Sequence, residues 1–238
     1  EMGAMRRDDI TTSILVLLKE YADNKLIGLQ QASTMVLYRT SEQVMSIMLG
    51  SLDFHSQERS AQAGSSAEEE REEFRSKTIL SLLQLLNLLA SKDFFLDCED
   101  DVAAAVVASG AVNPQTGQNA VQTEVCAVLV TGLKAIVPLL SADLLRSYPA
   151  TCDKYFSYVT FIVNSYMENL DLSLNVEKGI NNDDKTNFYS TLMQHLLWGA
   201  GAVDTTAASL AFKAIQAIAD YYFTGLRGNG NARIGLGV

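Results

Sequence analysis

Two apolar stretches joined by a short break lie between Asn119 and Tyr166, and they constrain the fold of this chain more than any other feature. Each has apolar side chains at three- and four-residue steps, as a helix with a broad buried face does. Those of the first are Val121, Val125, Val128, Leu129, Leu133, Ile136 and Val137, and those of the second are Cys152, Tyr155, Phe156, Val159, Ile162, Val163 and Tyr166. Pro138 lies near the end of the first, where a proline can stop a helix with little damage. Because the break at 141–149 is short, we expect two antiparallel helices.

Three elements of helical period precede this pair. The first is a predicted helix over 9–23, with a buried face formed by Ile10, Ile14, Leu17, Leu18 and Tyr21. A second is predicted over 26–38. Thr40 or Ser41 is a suitable N-cap for a third, whose apolar residues are Val44, Ile47, Met48 and Leu52.

An acidic segment introduces a leucine-rich one between residues 66 and 89. Ser66 stands three residues before Glu69, which is the spacing of a capping box. The helix that follows is apolar around most of its circumference, so we expect neighbours on several sides. Its apolar residues are Ile79, Leu80, Leu82, Leu83, Leu85, Leu86, Leu88 and Leu89.

Two further helices are predicted after a polar connection over 171–184. The first carries Phe188, Tyr189, Leu192, Met193, Leu196 and Leu197, and ends at Gly199 and Gly201. The second begins at Asp204 or Thr205 and ends at Gly225. Its residues at helical steps are Ala208, Ala211, Phe212, Ile215, Ile218, Tyr221 and Tyr222.

The order of these elements predicts an all-α protein. Helices of about 15 to 22 residues, paired at roughly 40 to 50 residues per pair, match the period of a HEAT/armadillo-like α-solenoid made of stacked antiparallel helix pairs. A plain helical bundle is the alternative. We expect N-terminal helices over 1–54, a flexible loop over 55–67, helical repeats over 68–227 and a Gly-rich tail over 228–238, with a further loop at 110–118.

Composition restricts the partners of the chain. Apolar residues make up 48%, which is ample for a core, while the net charge of −10 and the lack of a basic run beyond Arg6 and Arg7 argue against nucleic-acid binding. The two long uncharged stretches, 102–123 and 186–203, are interrupted by glycine, proline or amides, so we expect no membrane insertion. Three isolated cysteines, Cys98, Cys126 and Cys152, favour a reducing compartment.

Residues that could carry catalysis or bind a metal or cofactor are few. His55 and His195 each lack a second histidine at metal-ligand spacing, and His195 lies among leucines, which favours a structural role. The Gly-rich tail from Gly228 to Gly237 follows no strand and opens no helix, so a linker is favoured over a phosphate-binding loop. We therefore expect a non-enzymatic protein with no metal, no cofactor and no catalytic residue.

Two other groups of residues have a functional and a structural interpretation. The carboxylates between Glu68 and Glu73, and between Glu99 and Asp101, favour a helix cap or a solvated face over acid/base chemistry, and a basic partner surface is the alternative. Trp198, beside His195 and Met193, could line a pocket for a partner side chain. Helix core is the favoured interpretation.

A run over 136–162 resembles a known family: IVPLLSADLLR, then YPATCDKYF and VTFI. These residues are similar to C-terminal helical repeats of the exportins, nuclear export receptors of the importin-β superfamily, and the resemblance extends with interruptions over 69–222. It implies a receptor that shuttles between nucleus and cytoplasm, binding protein cargo, GTP-loaded Ran and nuclear pore proteins. It assigns no individual binding residue.

The residues themselves leave a second class of function open. A helical-repeat scaffold or adaptor without Ran coupling has the same periodicity and the same acidic surface.

The chain begins at Glu1 with neither an initiator methionine nor a charged and apolar leader, so we expect a fragment or a processed product.

Overall fold

A computed structural model describes residues 2–23, 36–48, 65–91, 120–176 and 182–228. These residues are helical apart from short connections, and no strand occurs among them, so the predicted all-α class is confirmed. The helices are α1 (Met2–Asp23), α2 (36–48), α3 (Ser65–Ser91), α4 (Ala120–Ile136), α5 (Ala142–Ser147), α6 (Pro149–Ser165), α7 (Met167–Val176), α8 (Asn182–Ala200) and α9 (Thr205–Gly228).

The chain divides into two compact units, Glu1–Val128 and Leu129–Val238, and the division falls inside α4. The boundaries predicted from the sequence, at residues 54, 67 and 227, stay predictions. The predicted loops at 55–67 and 110–118 lie largely or wholly outside the described residues, and α3 already begins at Ser65.

The leucine-rich helix α3 forms the core of unit 1, as its all-round apolar pattern predicts. Its most deeply buried residues are Ile79, Leu82, Leu83, Leu85, Leu86 and Leu89. Helix α1 packs against α3, and Lys19 Nζ donates a 2.7 Å hydrogen bond to Gln84 Oε1. The Tyr38 hydroxyl of α2 donates a 2.9 Å hydrogen bond to the Leu89 carbonyl. Both earlier helices are therefore joined to α3.

The predicted buried face of α1 is wrong in its orientation. Leu15, Leu18 and Ala22 are buried, whereas four of the five predicted residues are exposed. Those four are Ile10, Ile14, Leu17 and Tyr21. Residues 14–18 are all apolar, so periodicity did not define one face there, and the small Ala22 side chain lets the other face approach its neighbour closely.

The predicted boundary between the second and third helices is also wrong. The backbone of 36–48 is continuously helical, and Ser41 is buried inside it instead of capping it. The reason is that one buried stripe continues past this point, at helical spacing. Its members are Leu37, Tyr38, Val44, Met45 and Met48, while Ile47 is exposed and Leu52 lies outside the described residues.

The break in the middle of the chain contains a helix that the sequence did not predict. Helix α4 ends at Ile136, and a 3₁₀ turn over Val137–Leu139 includes Pro138, as expected. Ser141 then caps the short α5 by accepting a 3.2 Å hydrogen bond from the Leu144 backbone N–H. Pro149 occupies the first turn of α6, where its missing N–H costs nothing. The Tyr158 hydroxyl donates to the Leu129 carbonyl and joins α6 to α4, consistent with the expected helix pair.

The polar connection predicted over 171–184 is wrong at both ends, because α7 extends to Val176 and α8 already begins at Asn182. Met167, Leu170 and Leu174 follow each other at three- and four-residue steps and are all buried. Polar side chains between them concealed this short stripe. Residues 177–181 lie outside the described residues.

Small residues bring the last helix close to two others. Ala207, Ala211 and Ala214 have no exposed surface, and α9 packs against both α6 and α8. The Thr160 hydroxyl of α6 lies 3.0 Å from the Leu210 carbonyl of α9 and 2.7 Å from its own helix's Phe156 carbonyl.

The expected bounds of α9 are confirmed at one end and wrong at the other. Asp204 caps the helix, since its Oδ1 accepts from the Thr206 N–H at 2.8 Å, but the helix continues beyond Gly225 to Gly228. Phe212, predicted on the buried stripe, is 59% exposed.

Candidate functional site

His195 lies inside unit 2 and forms a hydrogen bond with a tyrosine of another helix. The hydroxyl of Tyr155, on α6, lies 2.8 Å from His195 Nδ1, on α8, and the two rings meet edge to face. Tyr155 has no exposed surface and His195 only 6%. The sequence predicted a structural histidine here but gave no sign of its partner.

The environment of His195 favours the neutral imidazole. Burial lowers its pKa, and a hydrogen bond to the Leu140 backbone opposes this effect only in part. A neutral ring that accepts from Tyr155 at Nδ1 carries its proton on Nε2, which can donate to the Leu140 carbonyl. Burial also raises the pKa of Tyr155, so its hydroxyl stays protonated. Both ring nitrogens thus have protein partners, and the group joins three parts of the chain: α6, α8 and the residue after the 3₁₀ turn.

An aromatic contact lies beside this pair, between Phe156, which directly follows Tyr155 on α6, and Trp198, three residues after His195 on α8. Phe156 has no exposed surface, and its ring stacks on Trp198 with centroids 6.3 Å apart and planes inclined by 18°. A Cβ at Gly199 would lie 2.4 Å from Phe156 Cζ, so only glycine fits there without movement of the ring. Trp198 and Met193 are half-buried. These contacts accord with the interpretation of Trp198 as helix core.

A second polar cluster joins three consecutive helices through one carboxylate. Asp171 Oδ1, on α7, lies 3.2 Å from Lys185 Nζ and 3.3 Å from the Tyr189 hydroxyl, both on α8. The Tyr222 hydroxyl of α9 lies 3.4 Å from the same oxygen. The side chains of Asp171 and Lys185 are each only 16% exposed, so water screens this ion pair weakly. Sequence reasoning missed this cluster because it placed Asp171 in a loop.

The two tyrosines of this cluster titrate abnormally. Burial, with the Asp171 carboxylate as a smaller contribution, raises the pKa of Tyr222 to about 12. The pKa of Tyr189 is also raised, chiefly by burial and then by its interaction with the Tyr222 hydroxyl. Both hydroxyls therefore remain hydrogen-bond donors at neutral pH. In addition, Lys185 Nζ lies over the Tyr189 ring, 5.9 Å from the ring centroid.

A third group lies where α6 and α9 begin. Desolvation and the nearby Asp204 carboxylate raise the pKa of Asp153. Burial, followed by the charges of Asp153 and Asp204, raises the pKa of the Cys152 thiol to about 11. Because the thiolate is the nucleophilic form, Cys152 is poorly reactive at neutral pH.

The other cysteines and the carboxylates singled out in the sequence contribute little to these clusters. Cys126 is buried with a free thiol whose pKa is raised to about 12 by burial. Glu73 forms an exposed ion pair with Lys77 one turn along α3, at 2.7 Å, and this pairing lowers the pKa of Glu73. The side chains of 68–71, together with His55, Cys98, 99–101 and the tail beyond Gly228, lie outside the described residues.

The described part of the chain contains neither a cluster of metal ligands nor a membrane-spanning helix. Among its residues, no three His, Cys, Asp or Glu side chains come together as metal ligands would. Within the same residues, no helix is both long and apolar enough to cross a membrane.

Neither family models nor solved structures assign this chain to a family. No protein-family model matches it, and no solved structure matches it significantly.

The polar clusters of unit 2 have one chemical feature in common, which is that tyrosine, histidine, lysine and aspartate bind one another across helices. Such an arrangement holds helices in register, and it leaves binding to be sought on helix surfaces.

Proposed function

We propose that this chain is a helical-repeat segment of a nuclear export receptor of the exportin type, and that the parent protein carries protein cargo from nucleus to cytoplasm. One observation carries the proposal, the run over 136–162 that resembles exportin repeats, exportin-4 above all. This run occupies the end of α4, the 3₁₀ turn, α5 and most of α6. Many of its apolar residues belong to the core, including Val137, Tyr155 and Phe156 with no exposed surface.

A solenoid of stacked helix pairs is part of this proposal. In a solenoid each repeat contacts mainly its neighbours, so contacts join residues that are close in sequence. The hydrogen bonds between different helices described above join residues 14 to 65 positions apart, from Asp171 with Lys185 to Lys19 with Gln84. None of the bonds described above spans more than two HEAT-like repeats of about 40 to 47 residues, as stacked helix pairs require.

The proposed activity is binding, without catalysis. His195 has a partner at each ring nitrogen, Asp171 is paired with Lys185 and Cys152 is held as a thiol. These are the side chains in unit 2 best suited to acid/base or nucleophilic chemistry, and the fold uses each for packing. The partners that follow from the resemblance are GTP-loaded Ran, protein cargo and nuclear pore proteins.

A solenoid can couple two partners through its curvature. Small rotations between successive repeats add up along the chain, so partners that both favour one curvature bind cooperatively. In unit 2, Tyr155 with His195 and Asp171 with Lys185 set the rotation between adjacent helices. We propose that these contacts limit how far the segment bends.

The test is capture of Ran by the native polypeptide, isolated from source extract with an antibody against this chain. The isolated protein is incubated with Ran carrying either a non-hydrolysable GTP analogue or GDP, and the retained Ran is quantified. We expect retention of the GTP form well above that of the GDP form. Equal retention, or none, would contradict the export receptor and leave a helical-repeat scaffold without Ran coupling.

A further inference from the structure

Helix α9 has a second apolar stripe in addition to the one that packs on α6 and α8. We call Phe212, Ile215, Ala219 and Phe223 the outer face of α9. Their spacing of three or four residues places them on one side of the helix. Phe212 is 59% exposed and Phe223 66% exposed, while Ile215 and Ala219 between them are half-buried. The outer face is thus a continuous apolar stripe with an exposed aromatic ring at each end.

Single exposed apolar residues are normal on a protein surface, but two exposed phenylalanine rings on one stripe of a helix are unusual. A buried aromatic side chain removes about 150 to 250 Å² from water, so covering both rings is strongly favourable. At 1.5 Å rise per residue, Phe212 and Phe223 stand about 16 Å apart along the helix axis. A partner that covers them must itself be elongated and apolar, as another helix is.

We propose that the outer face of α9 binds the outer face of α9 in a second copy of this chain, with the two helices antiparallel. A twofold axis through the middle of the stripe places Phe212 of one copy against Phe223 of the other, twice. Ile215 and Ala219 then meet at the centre, where the small alanine side chain allows close approach. One face therefore supplies both halves of the interface.

The charges beside the stripe favour this partner and this direction. Lys213 and Asp220 are both exposed and lie two turns apart on the same flank of the stripe. In the antiparallel pair, Lys213 of one copy lies within about 3 Å, measured along the axis, of the level of Asp220 in the other. The twofold symmetry gives two such opposite-charge pairs. In a parallel pair with a twofold axis along the helices, the same flank of the two copies lies on opposite sides of the pair, so Lys213 and Asp220 would not meet there.

The size of the surface sets the expected affinity. A single pair of helices buries less than the roughly 1,600 Å² of a standard stable interface, so we expect a weak dimer with a dissociation constant on the order of 10 to 100 µM. The proposal does not depend on Ran or cargo binding, because it uses only the residues of α9. A neighbouring helix of another protein is the competing occupant of the same face.

The experiment is sedimentation velocity of the full 238-residue chain at concentrations from about 1 to 500 µM, a range centred on the expected dissociation constant. We expect conversion from monomer to dimer across this range, with no larger species, because the twofold interface is closed. A monomer at every concentration would overturn the proposal and leave the other protein's helix as the occupant. Continued growth beyond a dimer would overturn the twofold arrangement.

Two sets of variants test the interface itself. The double change Phe212→Gln with Phe223→Gln should weaken dimerisation at least tenfold, because both rings are lost from each copy. The matched control, Leu197→Gln with Val203→Gln, removes apolar side chains that are 63% and 101% exposed but lie outside α9, and should leave the dissociation constant unchanged. Circular dichroism checks that both pairs of variants fold. Equal effects of the two double changes would overturn the assignment to α9.

Charge reversal tests the antiparallel direction. Lys213→Glu or Asp220→Lys alone should weaken the dimer by about threefold to tenfold, the range expected for two exposed ion pairs. Lys213→Glu combined with Asp220→Lys exchanges the two charges and should restore the dissociation constant of the unmodified chain. Failure of the combined variant to recover would overturn this pairing of charges.

Discussion

The Tyr155 hydroxyl and Nδ1 of His195 lie 2.8 Å apart in the interior of unit 2, although the two residues are 40 positions apart in the sequence. Each side chain satisfies the other's hydrogen-bonding group where water is excluded. Because an unpaired polar group costs free energy when it is buried, this pair favours one arrangement of α6 against α8.

Tyr155→Phe should destabilise the chain. The change keeps the ring but removes the hydroxyl, so Nδ1 of His195 is left buried without a donor. We expect the free energy of unfolding to fall by about 1 to 3 kcal/mol, the usual range for an orphaned buried group. Urea unfolding followed by circular dichroism measures it.

Tyr148→Phe is the control, since Tyr148 is half-buried and makes no side-chain cap hydrogen bond for α6. It should change the free energy of unfolding by less than about 0.5 kcal/mol, as most surface changes do. Equal losses in the two variants would argue against the Tyr155–His195 hydrogen bond.

His195 should make stability depend on pH. Its pKa is lowered in the folded chain, so the unfolded chain binds a proton more readily as the pH falls. The stabilisation from neutral His195 is therefore complete above the unfolded pKa of about 6.5 and is lost as the pH falls below it. Urea unfolding of the unmodified chain and of His195→Gln, at several pH values between about 7.5 and 5.5, tests this. The difference between the two proteins should narrow towards low pH, and a constant difference would contradict the buried neutral ring.

Gly199→Ala should be destabilising in spite of alanine's higher helix propensity. The added Cβ would lie 2.4 Å from Phe156 Cζ, and the ring has no exposed side towards which to move. Overpacking of this kind costs typically about 1 to 3 kcal/mol. Gly201→Ala is the matched control, because the nearest atom to its Cβ is the Trp198 carbonyl oxygen at 3.6 Å. Thermal unfolding of both variants measures the contrast, and a stable Gly199→Ala chain would show that Phe156 is placed wrongly.

Asp171→Asn tests the carboxylate shared by α7, α8 and α9. The change leaves Lys185, itself only 16% exposed, without its counter-charge. We expect a loss of about 1 to 3 kcal/mol, below the 3 to 5 of a fully buried pair because some water reaches this one. Asp143→Asn breaks an exposed pair with Arg146 and should cost less than about 0.5 kcal/mol. Equal effects in urea unfolding would mean that Asp171 is not a structural centre.

The sequence was sufficient to predict most of one buried stripe of α6. Tyr155, Phe156, Val159 and Ile162 were expected on one buried stripe, and the structure leaves none of them exposed. It was wrong for α1, where residues 14–18 are all apolar and their periodicity does not define which side faces α3. The solvent exposure of Phe212 has a similar cause: small residues beside it, Ala207, Ala211 and Ala214, allow closer packing.

The polar clusters could not be predicted from spacing. Asp171, Lys185 and Tyr222 come together only because three helices converge, and no local pattern records that convergence. The position of His195 among leucines favoured a structural role over a catalytic one, but its hydrogen-bond partner Tyr155 lies 40 residues away in the sequence. The available signal was a titratable residue on an otherwise apolar helix face. Such a residue indicates that a hydrogen-bond partner exists, but it does not identify that partner.

The central functional claim is that Ran and cargo bind one receptor cooperatively, and the most direct test measures that coupling. Native polypeptide isolated with an antibody against this chain is incubated with nuclear extract, and the proteins it retains are quantified with Ran in the GTP-analogue form or the GDP form. Coupled sites typically change each other's affinity by about 5 to 150-fold, so we predict at least a fivefold increase in cargo retention with the GTP-analogue form. Retention of the same proteins in the same amounts with either form would contradict the export receptor.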